Sequence, residues 1–230
     1  MKSILMNKQE ERVVNFLIIY AFSEGRVGLL KGRTGIAIAF YLLGGKKNSD
    51  VYSVFGEKLL QSVLSGLTGG LSNSFATGLC GIGWGIEYLF RQNFIMCSSN
   101  TFENLDYRIM NTNLAEMNFS LEEGLEGMLH YVLIHLYNCN LRKETQPFTP
   151  SFLENLYQQI KFVSDRTSLP ARMKLLMEQY SCWYETGKLQ YDFGLKDFIE
   201  KNIKCSENLF QEKVLSLHNG LAGYIVNKMS

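Results

Sequence analysis

Three groups of side chains in this sequence are chemically able to act as catalysts or ligands. Glu122, Glu123 and Glu126 lie close together and could act as acid or base, or bind a basic peptide. Cys80 could be a nucleophilic thiolate if the start of a helix lowered its pKa. His218 stands just before a glycine pair near the end of the sequence. Of these residues, His218, Glu126 and Cys80 are the candidates for a catalytic role.

Each candidate also has a structural interpretation, which we favour. Acidic residues are common at helix N-termini because they interact favourably with the helix dipole. A cysteine in a tightly packed segment behaves as a small apolar residue. For His218, the best single candidate, we still favour a structural role. His130 and His135 are five positions apart, about 500° around a helix, so we interpret them as ordinary buried or boundary histidines and not as a metal pair.

The candidates stand around a glycine pattern that recurs along the sequence. Two glycines three positions apart occur four times, at Gly32 and Gly35, Gly78 and Gly81, Gly124 and Gly127, and Gly220 and Gly223. The second glycines are 46, 46 and 96 positions apart, and 96 is two steps of 48. We place a degenerate copy in the gap at residues 168–171, with Ala171 where its second glycine would stand. A fixed period in this range is typical of stacked supersecondary units.

An apolar run follows each glycine pair and the degenerate copy, and an amphipathic stretch precedes each of them. The apolar runs cover residues 36–43, 82–90, 128–136, 173–177 and 224–226. The amphipathic stretches cover residues 13–20, 51–63, 105–114, 152–163 and 198–203. The fourth of these follows Thr149 and Pro150, which are typical of a helix start. The sequence therefore predicts an all-α protein of five helical hairpins.

Amphipathic helices paired with buried ones favour two closed layers, with the buried helices inside. An open α-solenoid is the alternative, although its two helices would share apolar residues more evenly. The glycine pairs indicate either loops with φ > 0 or a close approach between neighbouring backbones. We expect one domain spanning residues 1–230, in which residues 66–74 form a loop and not a domain boundary.

The composition argues against several classes of protein. The formal net charge is +1 and the basic residues are scattered, so we expect no nucleic-acid partner. No apolar run has the length of a membrane span, and the N-terminal apolar stretch is too short for a signal peptide. Five irregularly spaced cysteines fit reduced thiols in a cytoplasmic protein. A glycosidase would need a second carboxylate opposite Glu122, Glu123 and Glu126, and no matching acid stands in the other glycine loops.

Residues 76–86 (Ala-Thr-Gly-Leu-Cys-Gly-Ile-Gly-Trp-Gly-Ile) and 219–223 (Asn-Gly-Leu-Ala-Gly) resemble the glycine motif of lanthionine synthetase C-like proteins. Through the repeat, the resemblance covers most of the chain. It implies an α/α toroid whose inner helices begin at the glycine motifs. The enzymes of this family are zinc-dependent cyclases that add a cysteine thiol to a dehydrated serine or threonine of a precursor peptide.

The zinc ligands that the resemblance implies are not in their expected places. The family uses a Trp-Cys loop and an adjacent Cys-His pair before a late glycine motif, because zinc needs thiolate or imidazole ligands. Here His218 and Asn219 stand at the positions of that pair, and Cys182 precedes Trp183 in the reverse order. The spacing of Cys182, Cys205 and His218 does not recommend them as a rearranged set. We expect no metal cofactor, with zinc as the alternative.

The number of hairpins also departs from the family, whose toroids have six or seven. Five hairpins fit an open ring, a ring that another chain completes, or a reduced relative without the catalytic part. Helix N-termini meeting at the mouth would offer N–H groups to a carboxylate, phosphate or peptide carbonyl. The binding residues expected there are Arg33, Glu122, Glu123, Trp84 and Asn219. For Trp84 the alternative is core packing, and for Arg33 a solvated or salt-bridged position.

We therefore expect a non-catalytic peptide-binding or accessory module in the maturation of a modified peptide. Its partner would be a peptide substrate or the modifying enzyme. One alternative is a zinc-dependent peptide cyclase with a rearranged site. Another is a structural protein that completes its ring by oligomerisation.

Overall fold

The computed structural model describes residues 6–67, 70–97, 99–164 and 169–229. All regular secondary structure in these ranges is helical, which confirms the all-α prediction. The α-helices are α1 Lys8–Tyr20, α2 Arg33–Lys47, α3 Asp50–Leu64, α4 Leu79–Arg91, α5 Glu103–Met110, α6 Leu125–Arg142, α7 Pro150–Ser164, α8 Ala171–Thr186, α9 Glu207–Gln211 and α10 Leu221–Lys228. Within these same ranges, no helix combines the length and the apolar character needed to cross a lipid bilayer.

The chain divides into two compact units. The terminal unit comprises Met1–Leu71 with Gly194–Ser230, and the central unit comprises Ser72–Phe193. In the terminal unit, α2 packs against α3 and α10, and α10 packs against α1. In the central unit, α6 packs between α4 and α8, while α5 contacts α4 and α7 contacts α8. The first boundary between the units falls within residues 66–74, a segment predicted to be a loop and not a domain boundary. Thr68 and Gly69 of this segment lie outside the described residues.

Helix α7 shows how the sequence forms an amphipathic helix. Pro150 is its first residue, where the missing N–H of proline has no intrahelical partner to lose. The Thr149 hydroxyl accepts a hydrogen bond from the Phe152 N–H at 3.3 Å. The buried residues form one stripe, at Phe152, Leu153, Leu156, Ile160 and Val163. This stripe and the start at Pro150 confirm the predicted helix.

The helices that follow the glycine pairs are buried on nearly all sides. In α6, every residue from 125 to 136 is buried, including two histidines. Helix α8 departs from the predicted pattern, because only Met173, Leu176, Met177 and Tyr180 are buried. Polar side chains occupy its other face, among them Lys174 and Glu178. The fourth hairpin therefore consists of two amphipathic helices.

Four helices begin with the same hydrogen bond. The first helical N–H donates to the carbonyl seven residues earlier, as in Arg33 to Arg26 (3.0 Å), Leu79 to Ser72 (2.9 Å), Leu125 to Asn118 (2.8 Å) and Leu221 to Val214 (2.9 Å). The loop before each helix therefore folds its backbone over the helix end. We call these four segments, residues 26–32, 72–78, 118–124 and 214–220, the glycine loops.

The third glycine loop shows why glycine is needed. Gly124 has φ −120° and ψ −165°, an extended conformation open to any residue. A Cβ at Gly124 would lie 2.3 Å from the Asn118 carbonyl oxygen, and one at Gly127 would lie 2.3 Å from that of Leu121. The expectation of a close backbone approach is therefore confirmed, and the alternative of φ > 0 is wrong for these loops. Among the described glycines, Gly187 has a positive φ.

The helix starts follow the repeat more regularly than the glycines do. Helices α2, α4, α6 and α8 begin 46 residues apart, and α10 begins 50 residues after α8. Ala171 is the first residue of α8 and not the counterpart of a second glycine, so the degenerate copy is shifted from its predicted alignment. The cause is Pro170, which disfavours a helical conformation at the residue before it. Ser168, also part of that predicted copy, lies outside the described residues.

The fifth amphipathic helix, predicted over residues 198–203, does not form. A 3₁₀ helix, Leu195–Phe198, is fixed by the Gly194 N–H, which donates to the Asp197 carboxylate at 2.7 Å. The chain is extended at Ile199. Residues 200–206 (Glu-Lys-Asn-Ile-Lys-Cys-Ser) are too polar to supply an apolar stripe. The short α9 stands in place of a full helix in this hairpin.

Candidate functional site

The starts of α2, α4, α6 and α10 are closed by their own glycine loops. In addition to the first N–H, the Thr34 N–H donates to the Val27 carbonyl at 3.2 Å and the Gly223 N–H to the Ser216 carbonyl at 3.3 Å. These donors are therefore not available to an anionic ligand or a peptide carbonyl. This corrects the expectation of free N–H groups at these helix ends, because the loop carbonyls satisfy them instead.

A polar cleft lies beside two glycine loops of the central unit. It is lined by Ser72, Asn73, Ser74, Thr112, Asn113, Glu116, Met117, Asn118 and Glu123. Its volume is about 430 Å³ and it is open to solvent. The glycine loops before α4 and α6 supply two sides of the cleft, and the connection between α5 and α6 supplies the third. We call this feature the polar cleft.

Hydrogen bonds fix the wall of the polar cleft that is formed by residues 72–74, just before α4. The Ser74 hydroxyl donates to the Glu122 carbonyl at 2.8 Å, and that carbonyl also accepts from the Phe75 N–H at 2.8 Å. The Asn73 amide donates to the Thr112 hydroxyl. The two glycine loops and the α5–α6 connection are thus joined to one another. The wall is preformed, as is usual for a ligand site.

The opposite side of the polar cleft carries groups that remain available for a ligand. The side-chain carbonyls of Asn113 and Asn118 accept hydrogen bonds from Ala115 N–H (3.3 Å) and Ser120 N–H (2.8 Å). No described group bonds to the Nδ2 atoms of these two asparagines. The carboxylates of Glu116 and Glu123 are exposed, and no described cation pairs with them.

These groups define what the polar cleft can bind. Amide N–H donors match the carbonyl oxygens of a peptide, and the hydroxyls and amide oxygens match its N–H groups. Two exposed carboxylates attract a cationic side chain and repel an anionic one. The arrangement suits a basic peptide segment.

The structure separates the three predicted glutamates. Glu123 lines the polar cleft, while Glu122 contributes its backbone carbonyl to the loop-to-loop hydrogen bonds. Glu126 is 3% exposed and pairs with Arg172 of α8. Only Glu123 of the three therefore presents its carboxylate to the cleft.

Cys80 and Trp84 are part of the central unit's core. Both are fully buried in α4. Burial, and secondarily the charge of Asp106, raises the pKa of the Cys80 thiol well above its ordinary value, so the thiol stays protonated. The Trp84 indole N–H donates to the Tyr191 hydroxyl at 2.7 Å, and its ring stacks on Tyr88 at 5.3 Å.

Arg33, His218 and Asn219 lie in the terminal unit. The Arg33 guanidinium donates to the Ser62 hydroxyl at 3.0 Å. His218 Nδ1–H donates to the Phe198 carbonyl at 2.6 Å, and its Nε2 lies 3.8 Å from the Glu200 carboxylate. Asn219 is exposed and accepts a hydrogen bond from Ser216. His218 and Asn219 thus fasten the fourth glycine loop.

These positions do not fit a zinc site. The Nδ1–H of His218 donates to a backbone carbonyl, an arrangement compatible with a metal at Nε2, but the neighbouring Asn219 amide is a poor zinc ligand and its oxygen accepts from Ser216. Cys182 is exposed and Cys205 is half-buried. In the parts of the chain that the structure describes, no group of three or more His, Cys, Asp or Glu residues is placed to hold a metal ion.

A buried ionic network in the central unit was not predicted. Its members are Glu87, Asp106, Tyr131, His135, Asn138 and Arg142, from α4, α5 and α6. His135 lies between two carboxylates, with Nδ1 bonded to Glu87 and Nε2 3.1 Å from Asp106. The Arg142 guanidinium donates to both oxygens of Glu87, at 2.9 and 3.0 Å.

The hydrogen bonds of this network favour the charged forms of His135 and Glu87. Burial alone would lower the pKa of His135, but its hydrogen bonds to Asp106, Cys139 and Glu87 raise it well above the ordinary value. Burial alone would raise the pKa of Glu87, but hydrogen bonds from His135 and Arg142 hold it below its usual range. Arg142 also donates to the Glu144 carboxylate at 2.7 Å, so three acidic side chains surround the two basic ones. Glu87 and His135 are each 0% exposed, so we assign the network to stability and not to ligand binding.

One signal for this network was present in the sequence. Glu87 is the one charged residue in the otherwise apolar residues 79–90. A carboxylate inside a buried helix needs a partner, and His135 stands in the next apolar run one repeat later.

No protein-family model, curated protein or solved structure matches this chain.

Proposed function

We propose that this protein is a non-catalytic peptide-binding module, and that the polar cleft holds a basic segment of the peptide. The observation that carries the proposal is the set of unengaged groups in the cleft: the amide nitrogens of Asn113 and Asn118 and the carboxylates of Glu116 and Glu123. Donors for carbonyl oxygens and charges for a cation occur together in one preformed recess.

The cleft suits a flexible peptide better than a small metabolite. It has a volume of about 430 Å³ and is open to solvent, so a chain can pass through it. Its wall is fixed by loop-to-loop hydrogen bonds, which lowers the entropy cost of binding. Exposed carboxylates contribute about 0.2–1 kcal/mol per ion pair. We therefore expect weak, salt-dependent affinity that a longer peptide would increase through further contacts.

The resemblance to lanthionine synthetase C-like proteins supplies the biological setting of the proposal. We propose an α/α toroid of that type, without the zinc site, acting as an accessory module in the maturation of a modified peptide. Two observations support it: the 46-residue step of the helix starts and the glycine loops with their shared hydrogen bond. In such a module the peptide is held here, and another enzyme carries out the chemistry.

Fluorescence anisotropy with three labelled octapeptides tests the proposal. One is rich in lysine, one is rich in glutamate, and one is neutral and of equal length. We expect the lysine-rich peptide to bind, the neutral peptide to bind more weakly, and the glutamate-rich peptide not to bind. Raising the salt concentration should weaken binding of the lysine-rich peptide, because exposed charges are screened.

Equal binding of the basic and acidic peptides would contradict a role for the two carboxylates. Failure of all three peptides to bind would contradict the proposed peptide-binding function. Precursor peptides from modified-peptide pathways, added to the same assay, then test the proposed role in peptide maturation. Unmodified precursors should bind more tightly than scrambled sequences of the same composition.

A further inference from the structure

An extended segment of the central unit occupies a slot between buried side chains of α4 and α6. This segment, residues 188–193 (Lys-Leu-Gln-Tyr-Asp-Phe), follows α8 and contains no helix. We call it the strap. Tyr191 is 1% exposed, whereas Gln190 and Asp192 on either side of it are exposed. Alternate residues of the strap thus point inward, as they do in an extended peptide bound to a surface.

The slot around Tyr191 offers both a donor and an acceptor to the phenol hydroxyl. The Trp84 indole N–H is only a donor, so at 2.7 Å the Tyr191 hydroxyl must accept from it. The hydroxyl's own proton is then directed to His130 Nδ1, 2.9 Å away. His130 must therefore accept at Nδ1. Its burial, and secondarily the charge of Arg172, lowers the pKa of His130 well below its ordinary value and keeps this nitrogen unprotonated.

Two more contacts fix how the strap crosses the helices. The Tyr191 carbonyl accepts a hydrogen bond from Arg91 at the end of α4, at 3.2 Å. The Phe193 ring meets the His130 ring edge-on, with centroids 4.7 Å apart. The contacts of the strap include a tyrosine in the slot, an apolar residue two positions later, and hydrogen bonds to its backbone at Tyr191 and Lys188.

Side chains hold most of the strap in place. No backbone-to-backbone hydrogen bond joins Leu189, Gln190, Asp192 or Phe193 to described residues. Gly187, with φ +73°, precedes the strap, and Gly194 follows it. Local opening of a segment with few backbone hydrogen bonds costs less free energy than global unfolding.

We propose that the slot is a recognition site for a tyrosine in an extended peptide, and that the strap is its displaceable resident. The preferred ligand has the pattern apolar-x-Tyr-x-apolar, as in Leu189, Tyr191 and Phe193. Phenylalanine in place of the tyrosine leaves the Trp84 donor and the His130 acceptor without their bonds. Because the strap is tethered, it competes at a millimolar effective concentration, so an incoming peptide binds better once the strap is weakened.

Trp84 reports on the slot directly. The chain has two tryptophans, and Trp183→Phe leaves Trp84 as the sole tryptophan, which excitation at about 295 nm selects over the tyrosines. The probe is the acetylated and amidated hexapeptide Lys-Leu-Gln-Tyr-Asp-Phe, with a control peptide carrying phenylalanine at the tyrosine position. The proteins are Trp183→Phe and Trp183→Phe/Tyr191→Ala. We expect the tyrosine peptide to change Trp84 emission and to bind the double variant at least about tenfold more tightly than the single variant.

The control peptide should bind the double variant at least about tenfold more weakly than the tyrosine peptide. Equal affinity of the two peptides, or no binding to a double variant with normal far-UV circular dichroism, would overturn the proposal. Adding Glu116→Gln and Glu123→Gln should leave this binding unchanged, which separates the slot from the polar cleft.

Hydrogen exchange of the unaltered chain tests the strap even if Tyr191→Ala prevents folding. Amides of the strap should exchange at least about a hundredfold faster than those in the middle of α6, because the strap opens locally. Protection of the strap equal to that of α6 would overturn its assignment as displaceable.

Discussion

The Glu87 carboxylate and the His135 imidazole form a hydrogen-bonded ion pair in the interior of the central unit, and both side chains are fully buried. They come from neighbouring helices, α4 and α6. Arg142 bonds to Glu87, Asp106 lies next to His135, and Glu144 pairs with Arg142. Removing one member leaves an unpaired charge in a low-dielectric interior, which costs more than the whole network contributes.

The first prediction concerns the pH dependence that this pair imposes. The folded pKa of His135 is raised, so its contribution to stability is complete below the unfolded value of about 6.5 and is lost as the pH rises through the folded pKa. His135→Gln should therefore destabilise the protein most near pH 6 and less at higher pH. The difference in unfolding free energy should shrink by up to about 1.4 kcal/mol per pH unit above pH 7.

Urea denaturation at several pH values between about 6 and about 8 measures this difference. The pKa of Glu87 is lowered, so its contribution to stability is complete above the unfolded pKa of about 4.3 and is lost only as the pH falls through the folded pKa. The contribution of Glu87 to the unfolding free energy is therefore constant in this window. A constant difference between wild type and His135→Gln across the window would show that His135 is not held as a cation.

The second prediction concerns the glycine loops. Gly127→Ala places a methyl group 2.3 Å from the Leu121 carbonyl oxygen and 2.5 Å from Phe75 Cβ, so either the loop or the ring must move. Overpacking of this kind costs about 1–3 kcal/mol. Thermal and urea unfolding should both show the loss.

Gly25→Ala is the matched control for the glycine loops. A Cβ at Gly25 meets nothing within 4 Å, and the residue lies outside the helices. This variant should remain within about 0.5 kcal/mol of wild type. If both variants were equally stable, close packing would not be the reason for glycine at position 127.

The third prediction concerns thiol reactivity. Cys182 is exposed, whereas Cys80 is fully buried and its pKa is raised by burial. Brief treatment of the native protein with iodoacetamide should alkylate Cys182 first and leave Cys80 unmodified, because the thiolate is the reactive form. Burial also raises the pKa of Cys97, to about 12, which should make it slow.

Peptide mapping by mass spectrometry gives the order of alkylation. Repeating the reaction in urea should make all five cysteines reactive, which controls for digestion and detection. Early modification of Cys80 in the native state would revive the catalytic interpretation of that residue.

The sequence predicted the elements better than the sites. Apolar spacing located α7 correctly because residues 152–163 have one buried face and a clear start at Pro150. It failed at residues 198–203, where too few apolar residues exist to define a helix. The glycine pairs located four helix starts because backbone packing leaves room for no side chain there.

The candidate sites depend on contacts that no local pattern shows. Glu123 was predicted and lines the polar cleft, but Thr112 and Asn113 reach it from a connection whose path depends on the short α5. Tyr191 lies 61 positions from His130 and was not predicted, because the strap has no helical spacing. The one local signal for such contacts in the sequence was the charged Glu87 within an apolar run, which belongs to the buried ionic network.

Site-directed change of the polar cleft is the most direct test of the proposed function. The measurement is the anisotropy of the labelled lysine-rich octapeptide on wild type and on Glu116→Gln/Glu123→Gln, with exposed Glu103→Gln of α5 as the charge control. Loss of two exposed ion pairs should weaken binding about tenfold in the double variant, while the control stays near wild type. Unchanged affinity in the double variant, or an equal loss in the control, would contradict peptide binding at the cleft.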